Sequence, residues 1–305
     1  MKHLSLKSPR HFAGVVMDPI RRHFLQLSSA YLMPIRAEAT NPAVMYPVAT
    51  MARGRSTSLS SKEVTVVGVG GHGQRCITNI LQVQADVFDR QQSIFGPKDF
   101  GAAFAGVSIL LVIADTSAHQ DYLTAEVIAR VAKQHHVEFC FLFDSGDGSV
   151  QGMSEFDVLI QLPNRLGADF LCEAVHGIAR IQRDPGLVGV DMHDISAALQ
   201  GIGKSAFGAL GQASGVARSV QAVQIATDLL FQQGIDLSKA SGVVAMMVTD
   251  KSKFRLSNVR AVVTAIRAKT GPDSMFIFSV HEVEGLGDEL RVTVIASIAS
   301  NKPPK

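Results

Sequence analysis

One passage constrains this chain more than any other: Val64-Thr65-Val66-Val67-Gly68-Val69-Gly70-Gly71-His72-Gly73. Its β-branched run reads as a buried strand, its glycines as a tight turn, and the residues after it predict a helix near 74–88. Bare backbone in such a turn can approach a phosphate, and the helix N-terminus adds unpaired N–H groups and partial positive charge. Gly68, Gly70 and Gly73 also satisfy the GxGxxG spacing of a dinucleotide site. That fold wants an acid about 20 residues on, at the end of a second strand. Asp86 and Asp89 lie at the right distance but in no clear strand. A tight strand-to-helix turn that binds nothing fits the same residues.

The rest of the chain repeats the alternation. Strands are predicted at 107–114, 137–143 and 156–162, with a helix at about 122–135 between the first two. This is the pattern of a parallel sheet flanked by helices. A long helix over 168–183 places Leu171, Val175 and Ile178 on one face and stops at Asp184-Pro185-Gly186. Beyond it the pattern gives helices at 194–201, 217–232 and 256–268. Strands fall at 206–210, 242–249, 275–282 and 289–298. The second half reads as a separate α/β unit closing in a hairpin across Glu284-Gly285-Leu286-Gly287-Asp288.

Composition narrows the function. At 47% hydrophobic and 18% charged residues, the chain is not a mainly disordered one. Its longest apolar run, 107–114, is too short for a membrane-spanning helix. The net charge of +2 hides a partition. Residues 1–60 hold eight Lys/Arg against Asp18 and Glu38, so the remainder is mildly acidic. Clustered cations, which nucleic-acid binding requires, are thus missing from the body, and no nucleic-acid partner is expected. The basic leader, about 1–62, reads as a disordered tail, an interaction arm or a targeting segment. Pro42, Pro47 and the run from Gly54 to Ser61 read as its linker. Cys76, Cys140 and Cys172 lie far apart and read as buried free thiols of a reducing compartment.

Three stretches together resemble FtsZ, the bacterial division GTPase of the tubulin superfamily. Val67–Gly73 is similar to the family's first phosphate loop. Gly186-Leu187-Val188-Gly189-Val190-Asp191-Met192-His193-Asp194 resembles the segment that reaches a neighbouring subunit's nucleotide. Asp288-Glu289-Leu290-Arg291-Val292-Thr293-Val294-Ile295-Ala296 resembles its C-terminal strand, and Ala174–Ile178 its central helix. The resemblance implies an α/β, tubulin/FtsZ-like fold. Its parts would be a reduced Rossmann-like GTPase-type domain (63–167), a connecting helix (168–185), a smaller α+β C-terminal domain (186–298) and a short tail (299–305). It also implies a vestigial nucleotide site at Gly70, Gly71, Gly73, Asn164 and Asp169. Asp191 and Asp194 would be the acids offered to a neighbour's pocket. Read without the resemblance, that pair is an N-cap and a dipole-favoured acid at a helix start.

Departures from the family pattern shape the functional expectation. Where the resemblance implies a Gly/Thr-rich loop around the phosphates, this chain has Ser117-Ala118-His119-Gln120-Asp121-Tyr122-Leu123, with no glycine and with a charge that phosphate would repel. The segments between Ile80 and Gly106 and between Asn164 and Asp169 are short for the family, and a strand is expected to be missing from the first. The expectation is a degenerate, non-hydrolysing scaffold or filament modulator with no cofactor, or with GTP and Mg if the vestigial pocket still works. Its partner would be itself or a genuine FtsZ subunit, through longitudinal contacts. It would act in the cytoplasm, at a membrane or division site if the basic leader meets a membrane or adaptor, with organelle targeting by that leader the other option. The family's terminal adaptor-binding peptide is not found in this sequence. Residual GTPase and dinucleotide-dependent oxidoreductase are the competing enzyme readings. The histidines, 72, 119, 135, 136, 176 and 193, show no metal-ligand spacing, and Asp144–Ser149 reads as an ordinary turn rather than an EF-hand.

Overall fold

The computed structural model describes residues 49–54, 63–83, 88–94, 102–146, 153–162, 167–183, 186–200 and 204–299, all within one compact unit, Tyr46–Lys305. Ten strands are described: β1 (Ala49–Gly54), β2 (Glu63–Gly68), β3 (Phe88–Ile94), β4 (Val107–Ala114), β5 (Phe139–Asp144), β6 (Val158–Gln161), β7 (Lys204–Ala213), β8 (Gly242–Asp250), β9 (Met275–Val283) and β10 (Leu290–Ala299). The helices are α1 (Gly70–Val83), α2 (His119–Gln134), α3 (Gly167–Arg183), α4 (Met192–Leu199), α5 (Arg218–Gln232) and α6 (Leu256–Arg267).

All the strands join one sheet in the order β3-β1-β2-β4-β5-β6-β7-β10-β8-β9. From β2 to β7 neighbouring strands run parallel, which places helices on both faces and explains why β4 and β5 are buried along almost their whole length. The two-residue period sorts their side chains into layers. Val64, Val66, Ile109, Leu111, Ile113, Phe141 and Phe143 pack with Ile77 and Ile80 of α1 and with Leu171, Val175 and Ile178 of α3. On the opposite face, Val67, Leu110, Val112 and Leu142 pack with Ala125, Ile128 and Ala129 of α2. A third core joins α5 and α6 to β8 and β10 through Val223, Ala226, Leu230, Val262, Ile266, Val243, Met247 and Val294. Helix α3 also reaches the second half: a Cβ on Gly177 would sit 2.6 Å from Met246 Sδ on β8.

Four expectations change. Ala49–Gly54, read as part of a leader and linker, is a strand lying between β2 and β3, with Met51 and Ala52 fully buried. Two of its six residues are Gly and Arg, so it lacks an apolar run, and the antiparallel ladder holds it instead. Arg53 is fixed by Glu63 at 3.5 Å and by the Ala103 carbonyl at 2.7 Å. The rest of the leader and its linker, residues 1–48 and 55–62, lies outside the described residues. Asp89, read as lying in no clear strand, belongs to β3. The hairpin across 284–288 is absent: β10 inserts antiparallel between β7 and β8, while β9 pairs parallel with β8. Finally, the second half is not a separate sheet, because β6 pairs with β7 at Ile160↔Ala206 and Gln161↔Phe207.

Candidate functional site

Parallel strands put the C-terminal ends of β2, β4, β5 and β6 at one edge, the place where open α/β sheets hold ligands. The glycine turn closes the β2 end. Val69 donates its N–H to the Ile113 carbonyl at 2.8 Å, which ties the turn to β4. Gly68 and Gly73 are there for packing: a Cβ on Gly73 would lie 2.7 Å from the Ile113 carbonyl and 2.8 Å from Gly68 Cα. Gly70 differs, because its φ of 66° needs glycine. A side chain there would also collide with the Asp121 carboxylate, whose Cγ would lie 2.6 Å from the added Cβ. Gly71 is exposed and faces only Arg75. Helix α1 starts at Gly70, so the turn itself forms its first helical residues.

Asp121 reaches the turn from α2, where it is the third residue after Ala118, the N-cap. Ala118 offers no side-chain cap, and Asp121 is the one acid of that first turn. Burial, reinforced by Asp115, pushes the Asp121 carboxyl up, and His72 works against them. His72 Nε2 in turn lies 3.4 Å from Cys76 Sγ, one turn along α1.

Two further carboxylates use up backbone donors along the same edge. Fully buried Asp144 accepts from Thr116 N–H at 3.0 Å and Gly146 N–H at 2.9 Å through Oδ1, and from Gln161 Nε2 at 2.8 Å through Oδ2. Asp115 accepts from the Ser117 N–H at 3.0 Å and from the Ser117 hydroxyl. The Ser145 N–H donates to the Ala114 carbonyl at 3.0 Å. Sequence reasoning passed over Asp115 and Gln161 and read Asp144 as the start of an ordinary turn. The readable signal is that each acid closes a buried apolar run: Asp115 directly follows Ala114, the end of β4, and Asp144 after Phe143 is itself the last residue of β5.

The other sequence-derived residues are scattered. Asn164 lies outside the described residues. Asp169 is exposed in the first turn of α3 and adds to the burial that pushes the neighbouring Cys172 thiol up to about 12. Cys76, Cys140 and Cys172 are all buried and free. Asp86 is outside the described residues. Asp89 of β3 pairs with Arg53 of β1, which itself pairs with Thr65, so it lies two strands from β2, level with Thr65 rather than with the glycine turn. The acid that a dinucleotide site needs is therefore not at that position.

Asp191 and Asp194 form a reciprocal capping box at the start of α4. The Asp194 N–H donates to Asp191 Oδ1 at 3.0 Å, and the Asp191 N–H to Asp194 Oδ2 at 3.2 Å. One oxygen of each carboxylate carries that bond, and the pair sits at the surface with Leu187 59% exposed just ahead of it. His193 lies 3.3 Å from Glu138 and edge-on to Phe139. His135 and His136 end α2, with His136 in the left-handed conformation at φ 63°. Among the described residues no group of three His, Cys, Asp or Glu side chains could hold a metal ion, and no helix is long and apolar enough to cross a membrane.

Residues 203–299 match the family model described as FtsZ family, C-terminal domain. The cell division protein FtsZ of Magnetospirillum gryphiswaldense is 25% identical over 223 residues, a match that covers 63% of this chain and 39% of that relative. The chain thus spans well under half the length of that protein. Among solved structures, an FtsZ W319Y mutant from M. jannaschii superimposes with a TM-score of 0.56 at 17% identity, covering 67% of this chain and 70% of that one. An empty FtsZ dimer from the same organism gives 0.55 at 16% identity, covering 69% and 73%.

Proposed function

We propose that this FtsZ-like protein, whose residues 203–299 are an FtsZ C-terminal domain in a fold of the FtsZ/tubulin type, serves as a subunit that joins or modulates division-type filaments without hydrolysing GTP. One observation carries the reading: the Asp121 carboxylate lies against Gly70, in the space a phosphate would need at the α1 N-terminus. Coulomb repulsion between two unit charges at such a distance is worth about 4 kcal/mol near a protein surface. Each backbone donor withdrawn from a phosphate costs a further ~1–3 kcal/mol. Thr116, Gly146 and Ser117 have given theirs to Asp144 and Asp115. Together these terms are comparable to the whole binding free energy of a low-micromolar nucleotide site, about 8 kcal/mol.

The surface that would meet a neighbour is built differently. Asp191 and Asp194 each keep an oxygen free of the capping box, at an exposed edge beside Leu187 and Val188. Such a pair can orient water toward a phosphate held by another subunit. The proposed partners are a second copy of this chain or a genuine FtsZ subunit. The dimer named for the M. jannaschii relative supports self-association as a mode for this fold. A cytoplasmic site of action fits this reading, with the basic leader as the segment for a membrane or adaptor contact. If the vestigial turn does take a ligand, Gly70, Gly71, Gly73 and Asp169 are the described residues on which GTP would depend.

The test is a filament assay. Full-length protein added to an FtsZ assembly reaction at equal concentration changes sedimented polymer or GTP turnover, and Asp191→Ala reduces the effect. Unchanged polymer and turnover with the wild-type protein overturn the proposal.

A further inference from the structure

The Gly70 turn has the makings of an anion site: a left-handed glycine, a helix start and a neighbouring histidine. Its occupant belongs to the chain itself. We infer that Asp121 is a built-in anion for this turn, a carboxylate held in the phosphate position that keeps the site closed to phosphate-bearing ligands. The inference rests on the reading of the chain as a subunit without productive nucleotide binding and names the group responsible.

Three observations bear on it independently. First, the contact is steric as well as electrostatic. A single added carbon at Gly70 would overlap the Asp121 carboxylate, so no phosphate oxygen fits there while the side chain stays in place. Second, Asp121 is fixed from its own end. It is the acid of the first turn of α2, and Tyr122 donates its N–H to the Ala118 carbonyl at 3.0 Å, so the backbone that carries it is already helical. Third, burial and then the Asp115 charge raise the cost of ionising the carboxylate, and the His72 charge on α1 offsets part of it.

The same geometry separates Asp121 from its neighbours. Asp144 is locked by three donors and stitches β5 to the turn after β4 and to β6, so it is structural. Asp115 is tied to Ser117 within its own turn. Asp121 alone of the three lies against Gly70. Removing both its bulk and its charge, as Asp121→Gly does, should therefore open the turn, whereas Asp121→Asn keeps the bulk and Asp121→Glu keeps an anion there.

Equilibrium dialysis of the full chain with radiolabelled inorganic pyrophosphate tests this, on wild type, Asp121→Asn, Asp121→Gly and Asp121→Glu, each checked by circular dichroism, with labelled GTP run on the wild type in parallel. The expected result is tighter binding by the Gly variant, at least about tenfold over wild type, a smaller gain for Asn, which loses the charge but keeps the bulk, and Glu staying like wild type. If the Gly variant does not fold, Asp121→Ala takes its place. A folded Gly or Ala variant that binds pyrophosphate no better than wild type overturns the inference, and the functional reading then stands on the backbone donors taken by Asp144 and Asp115 and on the filament assay. Low-micromolar GTP binding by the wild type overturns both.

Discussion

Gly70 and Asp121 are one unit, and single substitutions should expose their dependence. Gly70→Ala forces a Cβ onto a φ of 66° and into the Asp121 carboxylate. The expected loss is about 1–3 kcal/mol, read as a lowered midpoint in urea unfolding. Gly71→Ala meets only the movable end of Arg75 and should stay within about 0.5 kcal/mol of wild type. Asp191 offers a second residue-scale test. As N-cap of α4 it accepts the Asp194 N–H, so Asp191→Ala should cost about 1 kcal/mol in the isolated protein. An Asp191→Asn variant keeps a capping oxygen and should cost less, which separates the stability role from any role toward a neighbour. The sequence made both aspartates and all the glycines readable. It did not make readable that Asp121 points at Gly70, since that depends on where α2 begins relative to α1.

Elements are tied together by a few charged groups whose partners lie far off in the chain. Glu173 of α3 is 3% exposed and pairs with Arg291 of β10, while Arg180 lies 3.9 Å from its other oxygen. Glu173→Ala leaves those guanidinium groups facing a vacated, buried position and should cost about 3–5 kcal/mol by thermal or urea unfolding. At the end of β8, Asp250 accepts from Ser252 side chain and backbone and from the Gly287 N–H at 3.0 Å, which together hold its carboxyl down to about 2. A depressed carboxyl stabilises the fold above its unfolded value, 3.8, and that contribution is lost as pH falls from there toward about 2. Unfolding followed against pH should show a steeper acid limb for wild type than for Asp250→Asn in that window. Strand–helix alternation was legible wherever apolar runs were continuous, as in β4, β5 and β8. It failed for β1 and β3, polar-looking segments whose order comes from pairing with each other, and for the 284–288 turn, where β10's inside position depends on its pairing with β7 rather than on the turn.

At the scale of the molecule, one sheet of ten described strands carries at one end a stretch that matches the FtsZ C-terminal family model, residues 203–299, and toward the other the Gly70 turn with Asp121 against it. The C-terminal half was legible because its matching strand, Asp288–Ala296, is a long contiguous stretch. The edge at the glycine turn was legible only as a departure from the family pattern, and the structure adds where its carboxylates lie: Asp121 against Gly70, and Asp144 and Asp115 on the backbone N–H groups of Thr116, Gly146 and Ser117. The most direct measurement of this account is calorimetric titration of the full-length wild-type protein with GTP and Mg²⁺. No binding heat up to about 1 mM nucleotide is the expected result, and a dissociation constant in the low-micromolar range would contradict it.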